Sequence, residues 1–457
     1  MVFSSLLFLF WFLPVFFALY YLVPMRAKNA VLFTGSIVFY AWGEPGYLPL
    51  ILISILFNYI AGILMHRASG NAGIKRLVLV VSLMFDIGLL FFFKYIDFFI
   101  RNINSLTGSE LPLFGVALPL GISFYTFQIM SYIIDLYRGE AECEHSLLRL
   151  GTYIVMFPQL IAGPIVVYSE VSRDLKSRTV SPSDIEEGVR IFILGLASKV
   201  LIANNVGRLW TEAGEIGFSN ISTPLAWFSA IAFTLQIYFD FNGYSLMAIG
   251  LGRMLGFRFP KNFDFPYISS SITEFWRRWH MTLSSWFRDY LYIPLGGNRR
   301  GAFRTYVNLF IVWAVTGFWH GADWNFIIWG LYFFVLLSAE RIFLKGFLEK
   351  HRIFSHFYTM FFVVMSWVIF AVTDLTELSV YYSRLFGGFA GEDILYYLRN
   401  YGFIMGVGIL LSTPALKGFY NRIKDGLLGA VLNMGLLVAC VAYLADAGFN
   451  PFLYFRF

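Results

Sequence analysis

The stretch Phe318-Trp319-His320-Gly321-Ala322-Asp323-Trp324-Asn325-Phe326 sets one histidine between two tryptophans inside a strongly apolar region. An ionisable side chain in such a place is costly and, in a membrane protein, marks a functional site by default. A neutral imidazole there can take a proton from a hydroxyl attacking a thioester, the usual work of histidine in acyl transfer. Asp323 and Asn325 are close enough in sequence to orient the ring or polarise a carbonyl. The structural alternative is a histidine hydrogen-bonded to a neighbouring helix. The charge-free run from Thr305 to Trp319 leads up to His320, and as a helix it reaches roughly 22 Å at 1.5 Å per residue. That is short of a full crossing and places His320 below the far surface, inside a cavity.

A second constellation lies upstream, in Ser271-Ile272-Thr273-Glu274-Phe275-Trp276-Arg277-Arg278-Trp279-His280, followed by Trp286-Phe287-Arg288-Asp289-Tyr290. Ser271 or Thr273 is suited to cap a helix here. Trp276, Trp279, Leu283 and Trp286 fall at helical spacing and form an aromatic stripe, the pattern of helices lying in or dipping beneath a membrane interface. Tryptophans anchored among headgroups and arginines on lipid phosphate are one account of it. The other is a docking surface for a phosphate-bearing donor, because guanidinium groups recognise phosphate bidentately. His280 serves either as a second catalytic group, as a donor contact or as an interfacial residue. The remaining four histidines, His66, His145, His351 and His356, sit among polar residues and read as solvated.

The elements that must position these groups are membrane helices. With 58% apolar, 20% aromatic and only 14% charged residues over 457 positions, the chain is no ordinary soluble globule, in which about a quarter of residues are charged. Charge-free runs such as Val2 to Val23, Pro45 to Met65, Leu111 to Ile134, Ile216 to Phe239 and Leu427 to Ala445 have the roughly 20 residues that span hydrocarbon as helices. Alternating ten-residue segments, the barrel signature, are absent. The two cysteines, Cys143 and Cys440, have no pairing motif or metal spacing, so neither a disulfide framework nor a metal is expected. Nothing points to a nucleic-acid partner. The first apolar run lacks a basic stretch ahead of it and a small-residue cleavage site, and reads as a retained helix. The expected fold is an all-α polytopic membrane protein, one domain over 1–457, with about 11 to 13 membrane segments including re-entrant ones.

Basic residues orient the chain, because short cytoplasmic loops are enriched in Lys and Arg. Arg26 and Lys28 after the first helix, Glu44 after the second, and Arg67, Lys75 and Arg76 after the third place the N-terminus outside. The segment 253–304, with nine basic residues against three acidic ones, then belongs to the cytoplasm only if one run does not cross. Leu150 to Ser169, interrupted by Pro158 and Gly163-Pro164, is that re-entrant candidate, since broken backbone is tolerated at membrane depth where protein covers it. The same count brings the tail 446–457 out on the far side. Its aromatic run Phe449 to Phe457 suits an interfacial belt. Tyr454 offers more: a phenol with a pKa near 10 forms an ester more reactive than an alkyl ester, fit to carry an acyl group outward. Gln128, Asp135, Gln159, Gln236, Asp240, Asn242 and Tyr244 interrupt apolar runs and are expected to face the bundle interior, with Gln236 and Asp240 the best suited to line a tunnel.

Several long motifs, in order, resemble those of the membrane-bound O-acyltransferase family, and within it the membrane subunits that O-acetylate alginate, peptidoglycan and other exopolysaccharides. They are Leu118 to Gln128 (LPLGISFYTFQ), Phe157 to Pro164 (FPQLIAGP), Gln236 to Ser245 (QIYFDFNGYS), the Glu274 to Arg299 block and the Phe318 to Phe326 block. The resemblance implies a ring or bowl of helices around a central tunnel that meets a cytoplasmic donor. It implies that His320 is catalytic and His280 functionally important. Beside it, the residues themselves offer Trp276, Trp279, Arg277, Arg278, Asp289, Asp323, Asn325, Gln236 and Asp240 for the donor or the tunnel. The resemblance further implies acetyl-CoA as donor, or an acyl carrier protein in the branch that D-alanylates teichoic acid. An extracytoplasmic hydrolase-like glycan acetyltransferase is the implied partner, in the cytoplasmic (inner) membrane of a bacterium. The aromatic tail resembles the C-terminal motif of bacterial acyl-export systems, in which a tyrosine such as Tyr454 is the proposed carrier. A polytopic transporter or flippase would share the broken helices and buried polar groups, but the two halves here lack matching motifs.

Overall fold

The computed structural model describes residues 2–446 and 453. Tyr454, proposed as the acyl relay, lies outside the described residues. Among those described there is no strand, and the chain is helical throughout. It packs as two compact units, one formed by Met1–Phe192 with Met247–Pro260 and the other by Ile193–Leu246 with Lys261–Phe457.

The first unit contains α1 (Leu13–Leu22), entered through a π-turn at Phe8–Phe12, then α2 (Met25–Gly43), α3 (Leu48–Arg67), α4 (Ala72–Thr107), α5 (Ile122–Arg138), α6 (Leu147–Val155), α7 (Phe157–Leu160) and α8 (Tyr168–Lys176). Local chemistry sets the boundaries. Asn71 and Ser146 accept hydrogen bonds from the amides of Ile74 and Arg149 and so cap α4 and α6. Gly108 ends α4 in the left-handed conformation open to glycine. The run Leu111 to Ile134, read from sequence as a span, is instead non-helical as far as Gly121, because Pro112 and Pro119 remove main-chain donors and Gly115 and Gly121 adopt positive φ. Only from Ile122 does it become helix. The interruption read at Leu150 to Ser169 is present: α6 ends at Val155, α7 lasts one turn, and 161–167 is non-helical.

The helices α9 (Pro182–Ala197) and α11 (Thr223–Leu255) belong partly to each unit, with α10 (Asn204–Ile216) between them. The second unit continues with α12 (Ile272–Arg278), α13 (Met281–Phe287), α14 (Ala302–His320), α15 (Trp324–Ala339), α16 (Lys345–Lys350), α17 (Arg352–Ala371), α18 (Leu375–Phe386), α19 (Asp393–Leu411), α20 (Lys417–Ile423) and α21 (Leu427–Asp446). Seven helical stretches among the described residues are long and apolar enough to cross a membrane: Pro45–Arg67, Ala72–Thr107, Pro182–Ile216, Trp324–Lys350, Arg352–Ala371, Asp393–Leu411 and Leu427–Asp446. Phe8–Leu22 is a shorter apolar helix.

Candidate active site

His320 is the last residue of α14, and α14 with α15 forms the hairpin that places it. The two helices meet at glycines. A Cβ on Gly330 would lie 2.4 Å from the carbonyl of Trp313 and one on Gly317 would lie 2.3 Å from the carbonyl of Phe326, so neither position admits a side chain without separating the helices. The helix runs from Ala302, about 28 Å by its 19 residues, which is longer than the charge-free run alone suggested. His320 is 6% exposed. Its imidazole meets three rings edge to face: Trp319 at a centroid distance of 5.0 Å, Trp329 at 4.9 Å and Phe370 at 5.3 Å. Asn325 is fully buried and donates from Nδ2 to the carbonyls of Ile369 and Phe370, both at 3.1 Å. Its NH2 is thereby committed to the end of α17, and it holds in place the residue, Phe370, that packs on His320. Asp323 is the N-cap residue of α15.

His280 occupies a break. Ser271, not Thr273, caps α12, its hydroxyl accepting from the amide of Glu274 at 3.0 Å. Glu340, just after α15 in the helical run Trp324–Lys350, reaches the same helix start and accepts from Ile272 N at 2.5 Å and from Thr273 N and Oγ1 at 2.9 and 2.7 Å. The chain then turns through His280 at φ +42°, ψ +54°, before α13 begins. Among the described residues only Phe265 and His280 are non-glycine residues at positive φ, a conformation that costs about 1–3 kcal/mol and collects at functional sites. The ring is 1% exposed, with Nδ1 3.0 Å from Asn262 Oδ1. It packs T-shaped on Phe241 at 4.6 Å and lies 6.4 Å from Trp319. Both histidines, forty residues apart by their numbering, therefore pack against one indole. Burial pushes the His280 imidazole down to about 3, so at neutral pH it is uncharged.

The aromatic stripe is not interfacial. Trp276, Trp279, Leu283 and Trp286 are all buried, and they belong to two short helices, not one. Trp276 packs on Trp313 at 4.7 Å, on Phe333 at 4.9 Å and on Trp329 at 5.6 Å, and Trp279 on Trp367 at 4.7 Å and Phe263 at 5.0 Å. These rings carry the histidine-bearing segments. The two arginines differ: Arg278 is committed to Glu274 at 2.9 Å and Asp264 at 3.6 Å, while Arg277 is exposed and has no carboxylate partner among the described residues. Asp289 pairs bidentately with Arg288 at 2.7 and 2.9 Å.

Of the buried polar pair expected to line a tunnel, Gln236 packs against Gly207 and Asp240 forms an ion pair. Lys199 Nζ lies 2.6 Å from Asp240 Oδ1, both side chains at most 3% exposed, and Asp240 Oδ2 accepts from the amide of Leu453 at 2.9 Å. Lys199 was missed in the sequence, though an isolated lysine in the apolar run 191–203 is the signal for a buried partner. Asn262, Ser245 and Glu340 carried no such signal.

Residues 143–381 match the model of the membrane-bound O-acyltransferase family. The "probable alginate O-acetylase AlgI" of Azotobacter vinelandii is 42% identical and that of Pseudomonas putida 38% identical, each over the whole of both chains. The peptidoglycan O-acetyltransferase of Helicobacter pylori is 35% identical over 94% of this chain and 85% of its own.

Proposed function

Since the chain belongs to the membrane-bound O-acyltransferase family and is an O-acyltransferase, we propose that it takes acetyl from a cytoplasmic thioester, acetyl-CoA, and passes it across the bacterial inner membrane for O-acetylation of an extracytoplasmic glycan. The observation that carries this reading is the convergence of His280 and His320 on Trp319 in a buried, ring-lined site. Relatives named for acetylation of alginate and peptidoglycan, aligned along nearly all of the chain, support acetyl as the group and glycan as the destination.

In the proposed step His320 is the general base. As the hydroxyl oxygen bonds to the thioester carbonyl carbon, its proton passes to the imidazole. The tetrahedral intermediate then expels sulfur, and the C–S bond breaks as the thiol leaves with the proton. The ring box around His320 excludes water that would hydrolyse the thioester. Arg277, exposed and without a carboxylate partner among the described residues, suits the phosphates of the donor. Trp276 and Trp279 support the two histidine segments, Arg278 and Asp289 are held in ion pairs with Glu274 and Arg288, Asp323 stands at the N-cap of α15, and Asn325 ties its first turn to the end of α17. Gln236 and Asp240 are assigned to the tunnel, with Tyr454 as acyl relay, and a hydrolase-like acetyltransferase outside the membrane receives the group.

Cells relying on His320→Ala are expected to export glycan normally and to lose its acetylation, a fall of about 10²- to 10⁴-fold in transfer. Mass spectrometry of the glycan reads both amount and identity of the acyl group. Normal acetylation would overturn the enzymatic role of His320, and an aminoacyl group in place of acetyl would overturn the choice of donor.

A further inference from the structure

One residue, Asn262, takes up the polar groups of the turn that holds His280. Met281 N donates to the main-chain carbonyl of Asn262 at 2.9 Å, and Thr282 donates to Asn262 Oδ1 from N at 3.4 Å and from Oγ1 at 2.9 Å. His280 Nδ1 lies 3.0 Å from the same oxygen. Asn262 is itself 1% exposed, and its Nδ2 donates to Ser245 Oγ at 3.0 Å, on α11. Main-chain N–H groups only donate, so the atom of Asn262 that faces Thr282 N is its oxygen. That fixes the amide, and an amide oxygen can meet Nδ1 favourably only if Nδ1 carries hydrogen. The other ring nitrogen, Nε2, is then an unprotonated lone pair. It is buried and has no hydrogen-bond partner among the described residues. Phe241 and Phe263 flank the ring at 4.6 and 6.4 Å and keep it from swinging out to water.

A buried acceptor left open is costly, and the strained φ adds to that. Both are tolerated in a turn that one asparagine organises. We propose that Asn262 is a positioning residue that fixes His280 as the Nδ1–H tautomer, so that Nε2 accepts a hydrogen bond from an O–H or N–H of a bound substrate. A neutral imidazole in this state cannot donate from Nε2 to an oxyanion. The two histidines thus have separate tasks, His320 moving the proton and His280 orienting a donor group. The inference rests on the acyl-transfer reading for its substrate and on geometry alone for its tautomer.

The test uses the full-length protein in detergent, with ¹⁵N-labelled histidine and the His280 signal assigned by its loss in His280→Gln. Wild type is expected to show a neutral imidazole with Nδ1 protonated and Nε2 bare. Asn262→Leu removes the oxygen at similar volume and is expected to release the ring to the other tautomer. Its rate of thiol release from acetyl-CoA should drop about 10²- to 10⁴-fold, the upper end being the loss that follows when a histidine is left in the wrong tautomer. Asn262→Asp keeps the shape and adds a carboxylate against Nδ1, which raises the proton affinity of the ring. It should bring a new acid limb into the pH profile of thiol release, below which Nε2 is protonated and activity falls. An Nε2–H signal in wild type would overturn the proposal, as would an Asn262→Asp profile identical to wild type. Failure of acetyl-CoA as donor would sink the choice of substrate and leave the tautomer result standing.

Discussion

His280 and His320 pack against the same tryptophan, yet different forces hold them. His320 ends a regular helix, and its ring sits among Trp319, Trp329 and Phe370, ring edges meeting ring faces. His280 stands in a left-handed break between two seven-residue helices, and a hydrogen-bonded asparagine sets its orientation. Ring packing restrains a side chain through many weak contacts of about 0.1–0.2 kcal/mol each. Such contacts by themselves fix a plane and select no ring nitrogen for the proton. A hydrogen bond to an amide oxygen selects one nitrogen for the proton. The first arrangement suits a group that must gain and lose a proton, the second a group that must stay in one state.

The strongest way to break this contrast is to remove a wall of the ring box. Trp329→Ala should cost about 3–5 kcal/mol of stability, measured by thermal unfolding in detergent, because a fully buried indole in contact with Trp276, Phe333 and Phe370 is lost. Thiol release should fall with it while the ¹⁵N signals of His280 stay where they were. Movement of those signals would mean that the two histidines are one packed unit, held by shared forces.

A smaller effect is expected where the two regions are tied together. Glu340 follows α15, the helix after His320, and its carboxylate caps α12, the helix before His280. Glu340→Ala leaves the buried amide of Ile272 and the partly buried amide and hydroxyl of Thr273 without their acceptor and should cost about 2–3 kcal/mol. The consequence should fall on the His280 side, because α14 and α15 retain their glycine contact. A loss of activity with the His280 tautomer intact would place the damage at His320 and reverse that expectation.

How much of this was legible in sequence follows the same division. His320 was readable because ring packing leaves a compositional trace: an isolated histidine flanked by tryptophans in apolar sequence. His280 was half readable. Its motif stood out, but the spacing of Trp276, Trp279, Leu283 and Trp286 fits a continuous helix, and the backbone break at His280 changes no residue type in that pattern. Asn262 was invisible, since its partners lie 18–20 positions away and asparagine is common in any turn. Lys199 and Asp240 each stood alone in apolar runs, and their pairing is decided only by how the helices pack. Spans were overread where prolines and glycines interrupt an apolar run without any charge, as between Leu111 and Gly121.

The finest distinction between the two histidines is their response to acid. His280 lies outside the membrane-spanning helices, and burial pushes its imidazole down to about 3, whereas an unfolded histidine titrates near 6.5. Between those values the unfolded chain binds a proton that the folded protein refuses. The contribution of His280 to stability is therefore complete above about pH 7 and is lost as pH falls from about 6.5 towards about 3. By about pH 5 the loss amounts to roughly 2 kcal/mol relative to neutral pH, since each unit of differential binding is worth about 1.4 kcal/mol. His280→Gln removes the titration and keeps a polar side chain, so the fall in its unfolding free energy between about pH 7 and pH 5 should be smaller than that of wild type by that amount. Carboxylates titrating in the same range act on both proteins and cancel in the difference. Equal losses in the two proteins would mean that folded His280 takes up its proton as readily as an exposed one.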